Sequence, residues 1–312
     1  MAEAKVAIIL TSHNREKLIE ETLVSIQNQT FTKFHCYIID DFSTDNTPAV
    51  VKRFVEKDDR FCFFKKPEAK SKGLSASRNM GLDLIKEKEY DYLQFFDDDD
   101  LMHPRKLEVQ IKNLEKNPTS QFSLCGAQNF TSLKDINFEL NSENNTVLEY
   151  ELWDAYLIGK IKFVAQVPIF RSSFFSNYRF DEELHYAEEW VLFVQQFYNE
   201  KPVFSNVEDT LFYRRKHSIS ITSGGNRNFN VRKTSAIAGI KVLDFLSQNN
   251  IHTRTSILHY LRYFLLYNYD SGILKEIEKE LKINFPELMP RFWMAKKYHW
   301  ISRKIILRTL KY

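Results

Sequence analysis

The stretch FFDDDDLMHP, Phe95 to Pro104, places four consecutive aspartates between a short apolar run and a proline. Neighbouring carboxylates repel each other by roughly 1 kcal/mol per pair even in water. The cluster is therefore either a solvated acidic turn or a site that faces a cation. The apolar run is typical of a buried strand end, and the proline suits the first turn of a following helix, so the aspartates lie at a predicted strand-to-helix junction.

Apolar runs followed by amphipathic stretches occur four times in the first 120 residues. The runs are VAIIL (6–10), CYIID (36–40), FCFF (61–64) and YLQFF (92–96). This alternation predicts β-α units on a parallel sheet. Ligands of such sheets bind beyond the carboxyl ends of the strands, so the polar residues that follow the runs are predicted to share one rim. Those residues are Thr11 to Asn14, Asp40, Asp41 and Asp97 to Asp100.

The position of the aspartate run on this rim favours a metal site over a solvated acidic turn. Side chains alternate in direction along a strand, so Asp97 and Asp99 point one way and Asp98 and Asp100 the other until the chain turns. Carboxylate oxygens suit Mg²⁺ or Mn²⁺, and one or two carboxylates leave coordination positions for phosphate oxygens of a substrate. An EF-hand is excluded because the sixth position from Asp97 is Met102, where a glycine is needed.

Glycine-rich nucleotide-binding loops do not occur in the sequence. The chain has only eight glycines and reads LTSHNREKL after the first apolar run, where a dinucleotide-binding enzyme has G-x-G-x-x-G. A Walker A motif is also missing, so we expect side chains and a metal to hold any bound nucleotide. The net charge of +3 is too small to indicate a nucleic-acid-binding protein.

The three cysteines, Cys36, Cys62 and Cys125, have no C-x-x-C spacing and lie in apolar surroundings, which predicts buried thiols rather than disulfides or zinc ligands. No segment reaches the roughly 18 apolar residues of a membrane span, and the N-terminal run is too short for a signal peptide. We therefore expect a cytoplasmic protein whose membrane contact, if any, is peripheral on the inner face.

Several segments together resemble the family 2 glycosyltransferases in order and spacing. They are VAIILTSHNREKLIEETLVSIQNQTF (6–31), IIDDFSTDNT (38–47), GLSASRNMGL (73–82) and FFDDDDLMHPRKL (95–107), followed later by RFDEELHYAEEWVLFVQQF (179–197) and YRRKHSISIT (213–222). The resemblance implies an α/β chain of GT-A fold, with a Rossmann-like, mostly parallel sheet flanked by helices. It also implies a nucleotide-sugar donor, with a UDP-sugar expected, and inversion at the anomeric carbon.

The resemblance also implies a donor-binding site on the rim. The predicted donor-binding residues are Thr11, Asn14, Asp41, Lys72, Arg78, Asn79, Asp97, Asp98 and Arg214. Thr11 and Asp41 match residues at the nucleobase, whereas Arg78 and Asn79 match residues near the base and ribose. Lys72 either belongs to the diphosphate cradle or only solvates a loop.

A metal site follows from the D-x-D-D pattern of the family. The first aspartate falls on Asp97 and the metal-binding one on Asp99, while Asp98 occupies the variable middle position. His217 matches a position close to the donor diphosphate or the metal, so it is predicted to be a metal ligand or a donor to phosphate, with Arg214 or Arg215 nearby. The alternative is a surface histidine in a basic loop. The implied cofactor is Mn²⁺ or Mg²⁺.

The general base is expected in YAEEWVLF (186–193), where the family usually has Glu-Asp. Glu189 falls on the base position, and a register slip of one residue would make Glu188 the base instead. Glutamate keeps the acid–base chemistry of aspartate but adds a methylene. The alternative is that both glutamates only begin a helix, where negative charge favours the dipole.

The domain organisation is predicted as a glycosyltransferase domain over 1–225 and a helical appendage over 226–312. The segment 291–312 contains seven Lys or Arg and no Asp or Glu, interleaved with aromatic residues. This composition is typical of a helix on an anionic membrane surface or, equally, of a terminal helix with a solvated basic face. Membrane contact would favour a polyprenyl-linked saccharide acceptor of a bacterial surface polysaccharide.

Two other functions compete with sugar transfer. A sugar-nucleotide nucleotidylyltransferase shares an α/β sheet and a metal-binding aspartate, but it places a glycine-rich, Arg-containing loop after the first strand, and TSHNREKL (11–18) is not one. A degenerate domain that only binds nucleotide-sugar or carbohydrate is disfavoured because the donor site, the metal cluster and a candidate base are all retained.

Overall fold

The computed structural model describes residues 4–140, 145–148, 152–217, 229–249, 251, 253, 275, 278–279, 281–283 and 286–298. The chain divides into two compact units. The first consists of Met1–Tyr150, Phe163–His185 and Pro202–Ser223, and the second of Glu151–Lys162, Tyr186–Lys201 and Gly224–Tyr312. The predicted boundary between residues 225 and 226 falls outside the described residues, so the predicted domain limits stay a prediction.

The first half of the sheet consists of parallel strands in the order β3-β2-β1-β4. These strands are β1 (Val6–Ser12), β2 (Phe34–Asp40), β3 (Phe61–Lys65) and β4 (Tyr92–Asp97), and the helices between them are α1 (Ile19–Gln27), α2 (Thr47–Val55) and α3 (Leu74–Ile85). Each strand contains one of the apolar runs, because a strand covered on both faces is hydrophobic along its length. The predicted β-α units are therefore confirmed.

The second half of the sheet is mixed and continues in the order β4-β8-β6-β9-β5, with β7 paired to β9. Its elements are β5 (Leu101–Met102), α4 (Lys106–Lys116), β6 (Ser120–Phe130), β7 (Asn145–Leu148), β8 (Ile169–Arg171) and β9 (Val203–Arg215), with 3₁₀ turns at Leu133–Asp135 and Ser172–Phe175. Strand β8 runs antiparallel to β4 and β6, whereas β6 and β9 are parallel.

Aromatic rings fill the core beside β4. Phe175 lies edge-on to Phe95 and Phe170, with ring centroids 5.0 and 4.8 Å apart, and Phe180 lies 5.3 Å from Phe95. Each buried phenylalanine contributes roughly 1.5–3 kcal/mol relative to an exposed one. All three cysteines are free thiols, and the predicted burial is found for Cys36 and Cys125 but only in part for Cys62, which is half-buried.

The second unit is helical in its described parts. Its helices are α5 (Leu152–Leu157), α6 (Glu188–Glu200), α7 (Phe229–Gln248) and α8 (Met289–Tyr298), the last preceded by a 3₁₀ turn at Pro286–Leu288. Tyr156 of α5 packs edge-on against Phe193 and Phe197 of α6, with centroids 5.8 and 5.6 Å apart. None of the helices in the described part of the chain is long and apolar enough to cross a membrane.

Candidate active site

Strand pairing in the first unit brings the rim together. Thr11 pairs with both Ile39 and Asp97, so β1, β2 and β4 end side by side. The turn Asp97–Asp100 leaves β4 and enters β5, whose two residues pair antiparallel with Tyr213 and Phe212 of β9. This pairing places the end of β9 beside the aspartate turn. Local sequence patterns could not predict this contact.

Asp99 and His217 contact each other at this point. His217 Nε2 lies 2.9 Å from Asp99 Oδ2. The other ring nitrogen, Nδ1, is buried without a hydrogen-bond partner in the described structure, although buried polar atoms are usually paired. Within the described structure, Nδ1 could therefore accept a ligand without breaking a hydrogen bond, whereas Nε2 would first have to give up Asp99 Oδ2.

These two side chains fit a divalent ion that is shared with a substrate. A carboxylate oxygen and an imidazole nitrogen are suitable ligands, and two protein ligands leave positions for water and diphosphate oxygens. Within the described ranges, no group of three or more His, Cys, Asp or Glu residues could hold a metal ion.

Asp97 is held by two nitrogen donors. Arg78 Nη2 donates to Asp97 Oδ1 at 3.2 Å, and Gln166 Nε2 donates to Oδ2. Burial raises the pKa of Asp97, while Arg78 opposes this shift and Asp99 adds to it. Each oxygen of Asp97 accepts one hydrogen bond and keeps a further acceptor position. Its role as a metal ligand stays a prediction.

Gln166 was missed by sequence reasoning. Its carbonyl accepts from Gln94 Nε2 at 3.0 Å, and the next carbonyl, of Val167, accepts from Lys106 Nζ at 2.8 Å and Gln110 Nε2 at 3.2 Å. These buried side chains fix the segment that delivers Gln166 to Asp97. The segment VAQVPIF (164–170) carries no motif, so no sequence signal pointed to it.

Asp98, the variable member of the run, contacts the segment that follows β1. His13 N donates to Asp98 Oδ2 at 2.9 Å, and Arg15 Nε lies 3.4 Å from Oδ1. Burial raises the pKa of Asp98 to about 7, with the charge of Asp99 adding to the shift and Arg15 opposing it. Asp98 therefore connects the loops that follow β4 and β1.

Arg215 clamps the aspartate turn. Its backbone N donates to Asp100 Oδ1 at 2.8 Å, its Nε donates to Asp99 O at 2.9 Å, and its Nη2 donates to Glu21 Oε2 at 2.6 Å. Thr22 Oγ1 also donates to Asp100 O at 2.8 Å. Helix α1 and the end of β9 thus fix the backbone that presents Asp99. Arg214, predicted at the donor, is half-buried beside this clamp.

Asp41 forms the second polar centre of the rim. Lys66 Nζ lies 2.6 Å from Asp41 Oδ1, and the backbone N of Gly73 donates to Oδ2 at 2.9 Å. Gly73 has a φ of 128°, a conformation that essentially only glycine adopts. Thr11 is buried at the end of β1. Lys66 was missed because a lone lysine after a strand gives no signal until its partner is known.

The SRN step of α3 is buried rather than open. Arg78 lies over the ring of Phe180, with its guanidinium carbon 5.1 Å from the centroid. The Asn79 amide donates to Phe180 O at 2.9 Å and to Glu182 Oε1 at 3.0 Å, and it accepts from Phe180 N at 2.8 Å. In this structure Asn79 fastens the segment before His185. Its predicted contact with the donor stays a prediction.

The two remaining predicted donor residues lie in loops. Asn14 has a φ of 51°, and its Oδ1 accepts from Thr44 N at 2.8 Å while its N donates to Ser43 Oγ at 2.9 Å. Asn14 thus shapes the loop that follows β2. Lys72 is exposed immediately before Gly73. Its role in the diphosphate cradle stays a prediction.

Glu188 and Glu189 begin helix α6 of the second unit. Ala187 precedes them with a φ of 62°, a strained value for a residue other than glycine. Burial raises the pKa of Tyr156 well above its usual range, and the charges of Glu189 and Glu188 add to the shift. The two carboxylates thus lie near the phenol of Tyr156, and their role as general base stays a prediction.

Comparisons with known proteins agree with this architecture. The family model described as Glycosyl transferase family 2 matches residues 7–179. The chain is 27% identical over 225 residues to the GalNAc(5)-diNAcBac-PP-undecaprenol beta-1,3-glucosyltransferase of Campylobacter jejuni, a match that covers 72% of this chain and 69% of that protein.

Solved structures with the same fold include two glycosyltransferases. TarS 1-349 of S. aureus in complex with UDP-GlcNAc superposes with a TM-score of 0.65 at 18% identity and covers 98% of this chain and 91% of its own. The mannosyltransferase PcManGT of Pyrobaculum calidifontis, in complex with GDP-Man and Mn²⁺, has a TM-score of 0.52 at 16% identity and covers 99% and 74%. The predicted GT-A fold is confirmed.

Proposed function

The chain belongs to glycosyl transferase family 2, and from this premise we propose that it transfers a sugar, with inversion, from a UDP-sugar to a hydroxyl of a glycan or lipid-linked saccharide, using Mn²⁺ or Mg²⁺. The contact between Asp99 Oδ2 and His217 Nε2, 2.9 Å apart on the ligand rim, carries the metal part of the proposal. Both side chains are mostly shielded from water, where their interaction with a charged ligand is stronger.

A divalent ion, when bound, stabilises the negative charge that develops on the departing diphosphate. Asp99 and His217 are the residues proposed to hold it. Arg215 and Thr22 keep the backbone of the turn in place, so that Asp99 needs little reorganisation when the donor arrives. Asp97, fixed by Arg78, is proposed to contact the donor beside the metal.

Asp41 is proposed to accept a hydrogen bond from the nucleobase. Its carboxylate already accepts from Lys66 and from the backbone of Gly73, but two carboxylate oxygens offer about four acceptor positions. The ion pair with Lys66 fixes the Asp41 carboxylate in one orientation, which lowers the entropy cost of binding the nucleobase.

Glu189, or Glu188 in the alternative register, is proposed to take the proton from the acceptor hydroxyl. In a single displacement the base acts on the face opposite the leaving group. Both glutamates lie in the first turn of α6, directly after Ala187. The role of a general base can be distinguished from a role in donor binding. A variant that lacks the base should lose sugar transfer while still binding the donor.

UDP is favoured as the nucleotide because TarS, which shares the fold over 98% of this chain, is known with UDP-GlcNAc. The mannosyltransferase of the same fold holds GDP-Man, so the donor test must include both nucleotides. A lipid-linked acceptor is favoured by the name of the Campylobacter relative, which specifies an undecaprenol diphosphate saccharide.

Peripheral contact with the inner face of the cell membrane is part of the proposal. In α8, the neighbouring large apolar side chains of Trp293 and Met294 are 55% and 51% exposed, and the helix carries no acidic residue. An anionic surface would attract the basic segment 291–312, and the exposed aromatic ring suits the interface.

A donor screen tests the function. Purified protein with Mn²⁺ is incubated with UDP- and GDP-sugars, with and without polyprenyl-linked saccharides, and nucleoside diphosphate release is measured. We expect release from one UDP-sugar, increased by a saccharide acceptor and abolished in Asp99→Asn. Asp59→Asn, a change at an exposed aspartate before β3, is the matched control and should keep full activity. Pyrophosphate release from a nucleoside triphosphate and a sugar phosphate would instead identify a nucleotidylyltransferase.

A further inference from the structure

Arg15 points its guanidinium at the aspartate turn, although no motif assigned it a role. Its Nε lies 3.4 Å from Asp98 Oδ1 and 3.7 Å from Asp99 Oδ2, and its side chain is only 18% exposed. The backbone of Arg15 is itself fixed, because its N donates to Thr47 Oγ1 at 2.7 Å. The guanidinium therefore occupies a defined place between two carboxylates.

The contacts of the Arg15 guanidinium with Asp98 and Asp99 are ionic rather than well-formed hydrogen bonds. Hydrogen bonds between N–H groups and oxygen have donor–acceptor distances of about 2.7–3.2 Å, and both Arg15 distances are longer. Its Nε is buried and has no hydrogen-bond partner within the described structure. Its Nη1 donates to the carbonyl O of the adjacent Asn14 at 3.3 Å, a long hydrogen bond. The side chain is thus held at the aspartates mainly by charge and can leave them without breaking a hydrogen bond to either carboxylate.

The same oxygen of Asp99 faces two positively charged or donating groups. Arg15 Nε lies 3.7 Å and His217 Nε2 lies 2.9 Å from Asp99 Oδ2. Arginine stays protonated at any pH that the protein meets, so Arg15 neutralises part of the acidic turn whenever it is in place. A divalent ion at Asp99 would experience repulsion from this fixed charge.

We propose that Arg15 is a built-in counter-ion of the aspartate turn, which a divalent cation must displace and which then pairs with the diphosphate of the donor. The inference rests on the proposed function, because it takes Asp99 as a metal ligand. It explains how four adjacent aspartates coexist before a metal arrives. It also makes metal binding weak until the diphosphate offers Arg15 a new partner, since guanidinium matches phosphate oxygens well.

The proposal predicts effects of opposite sign on metal and nucleotide. Arg15→Gln removes the competing charge, so the affinity for Mn²⁺ alone should rise on the order of tenfold, as expected for one unit charge about 5 Å from a divalent ion in water. The affinity for UDP without metal should fall several-fold. Arg15→Lys keeps the charge and should bind Mn²⁺ like the wild type.

The experiment is a titration of full-length protein with Mn²⁺ alone, followed by paramagnetic resonance or calorimetry, and a separate titration with UDP in chelator. Arg60→Gln is the matched control, because Arg60 also pairs with an aspartate, Asp58 at 2.6 Å, but at the start of β3, away from the rim. Its two affinities should equal those of the wild type. The shift of the unfolding temperature by Mn²⁺ provides a second readout and should be larger in Arg15→Gln than in the wild type.

Equal or weaker Mn²⁺ binding by Arg15→Gln, or no binding by either protein, would overturn the inference. If Arg15→Gln does not fold, Arg15→Lys decides, because a loss of Mn²⁺ affinity in that variant contradicts a simple counter-ion. Failure of this inference can be distinguished from failure of the proposed function. An active transferase whose Arg15→Gln variant binds Mn²⁺ no tighter keeps the function and loses the inference, whereas tighter Mn²⁺ binding without any sugar transfer keeps the inference and loses the function.

Discussion

Each aspartate of the run at 97–100 has its own partner in the folded chain. Arg78 and Gln166 hold Asp97, and Arg15 lies beside Asp98. His217 contacts Asp99, and the backbone N of Arg215 donates to Asp100. The sequence predicted that the run lies at the end of a strand, and the family resemblance predicted that His217 lies near it. It could not find Arg15, Gln166 or Lys66, because each acts through a partner that lies far away along the chain.

The buried pair of Lys66 and Asp41 gives the first prediction. Lys66→Met leaves the Asp41 carboxylate buried and without its cation, so the free energy of unfolding should fall by about 3 kcal/mol. Urea denaturation measures this change. Lys65→Met, at the neighbouring exposed lysine, should have almost no effect. A double variant with Asp41→Asn should recover part of the loss, and a Lys66→Met protein as stable as the wild type would refute the account of this pair.

At the scale of the elements, strand β8 is one that the sequence pattern could not predict. The apolar periodicity of the first 120 residues predicted β1 to β4 and their helices, because each unit is local. Strand β8 has only three residues and runs antiparallel between β4 and β6, so its place depends on two strands that lie far from it in sequence. The pairing of β5 with β9 could not be predicted from the sequence for the same reason.

The contact between α3 and β1 gives the second prediction. A Cβ at Gly81 would lie 2.4 Å from Ile9 Cγ2, which is closer than atoms can approach. Gly81→Ala should therefore lower the free energy of unfolding by roughly 1–3 kcal/mol, despite the higher helix propensity of alanine. In the double variant with Ile9→Ala, the two losses should be less than additive. A stabilising Gly81→Ala would contradict the packing described here.

Lys106, at the start of α4, gives a prediction on pH. Burial lowers its pKa to about 8, from the usual 10.5. The unfolded chain then binds more protons than the folded one between these two values, so the contribution of Lys106 to stability is least favourable below pH 8 and improves as the pH rises. The difference in unfolding free energy between the wild type and Lys106→Met should shift by roughly 2 kcal/mol in favour of the wild type from pH 7 to pH 10.

Urea denaturation at several pH values measures this difference. Taking the difference cancels the titration of groups that do not interact with Lys106, and a Cys125→Ala background removes the one buried thiol that does. Lys112→Met changes an exposed lysine on the same helix, so its difference from the wild type should stay constant with pH. A Lys106→Met difference that is equally flat would show that Lys106 keeps its ordinary pKa in the folded state.

For the whole molecule, the sequence predicted two parts but not the grouping of two internal segments with the second one. The segments Glu151–Lys162 and Tyr186–Lys201 belong with the C-terminal part although they are surrounded in sequence by the first unit. Helices α5 and α6 pack through aromatic rings such as Tyr156 and Phe193, and composition alone does not reveal which helices pair. The resemblance to the family predicted the GT-A fold but could not predict this grouping.

Membrane contact is a property of the whole molecule and gives the fourth prediction. Full-length protein should sediment with anionic phosphatidylglycerol vesicles and not with phosphatidylcholine vesicles. Replacing both Trp293→Ser and Met294→Ser should weaken the binding several-fold, because these side chains are exposed in α8. Ile283→Ser, at an equally exposed apolar residue outside the segment 291–312, is the control. Equal sedimentation of the double variant and the wild type would remove α8 from the interface.

The metal dependence of sugar transfer tests the central claim most directly. The measurement is the transfer rate from the preferred UDP-sugar against Mn²⁺ concentration, for the wild type, Asp99→Asn and His217→Gln, with chelator as the metal-free reference. We expect a wild-type rate that saturates with Mn²⁺ and vanishes in chelator, a loss of at least 100-fold in Asp99→Asn as is usual for a charge-stabilising group, and a raised Mn²⁺ requirement in His217→Gln. Transfer that is unchanged by chelator and by Asp99→Asn would contradict the account.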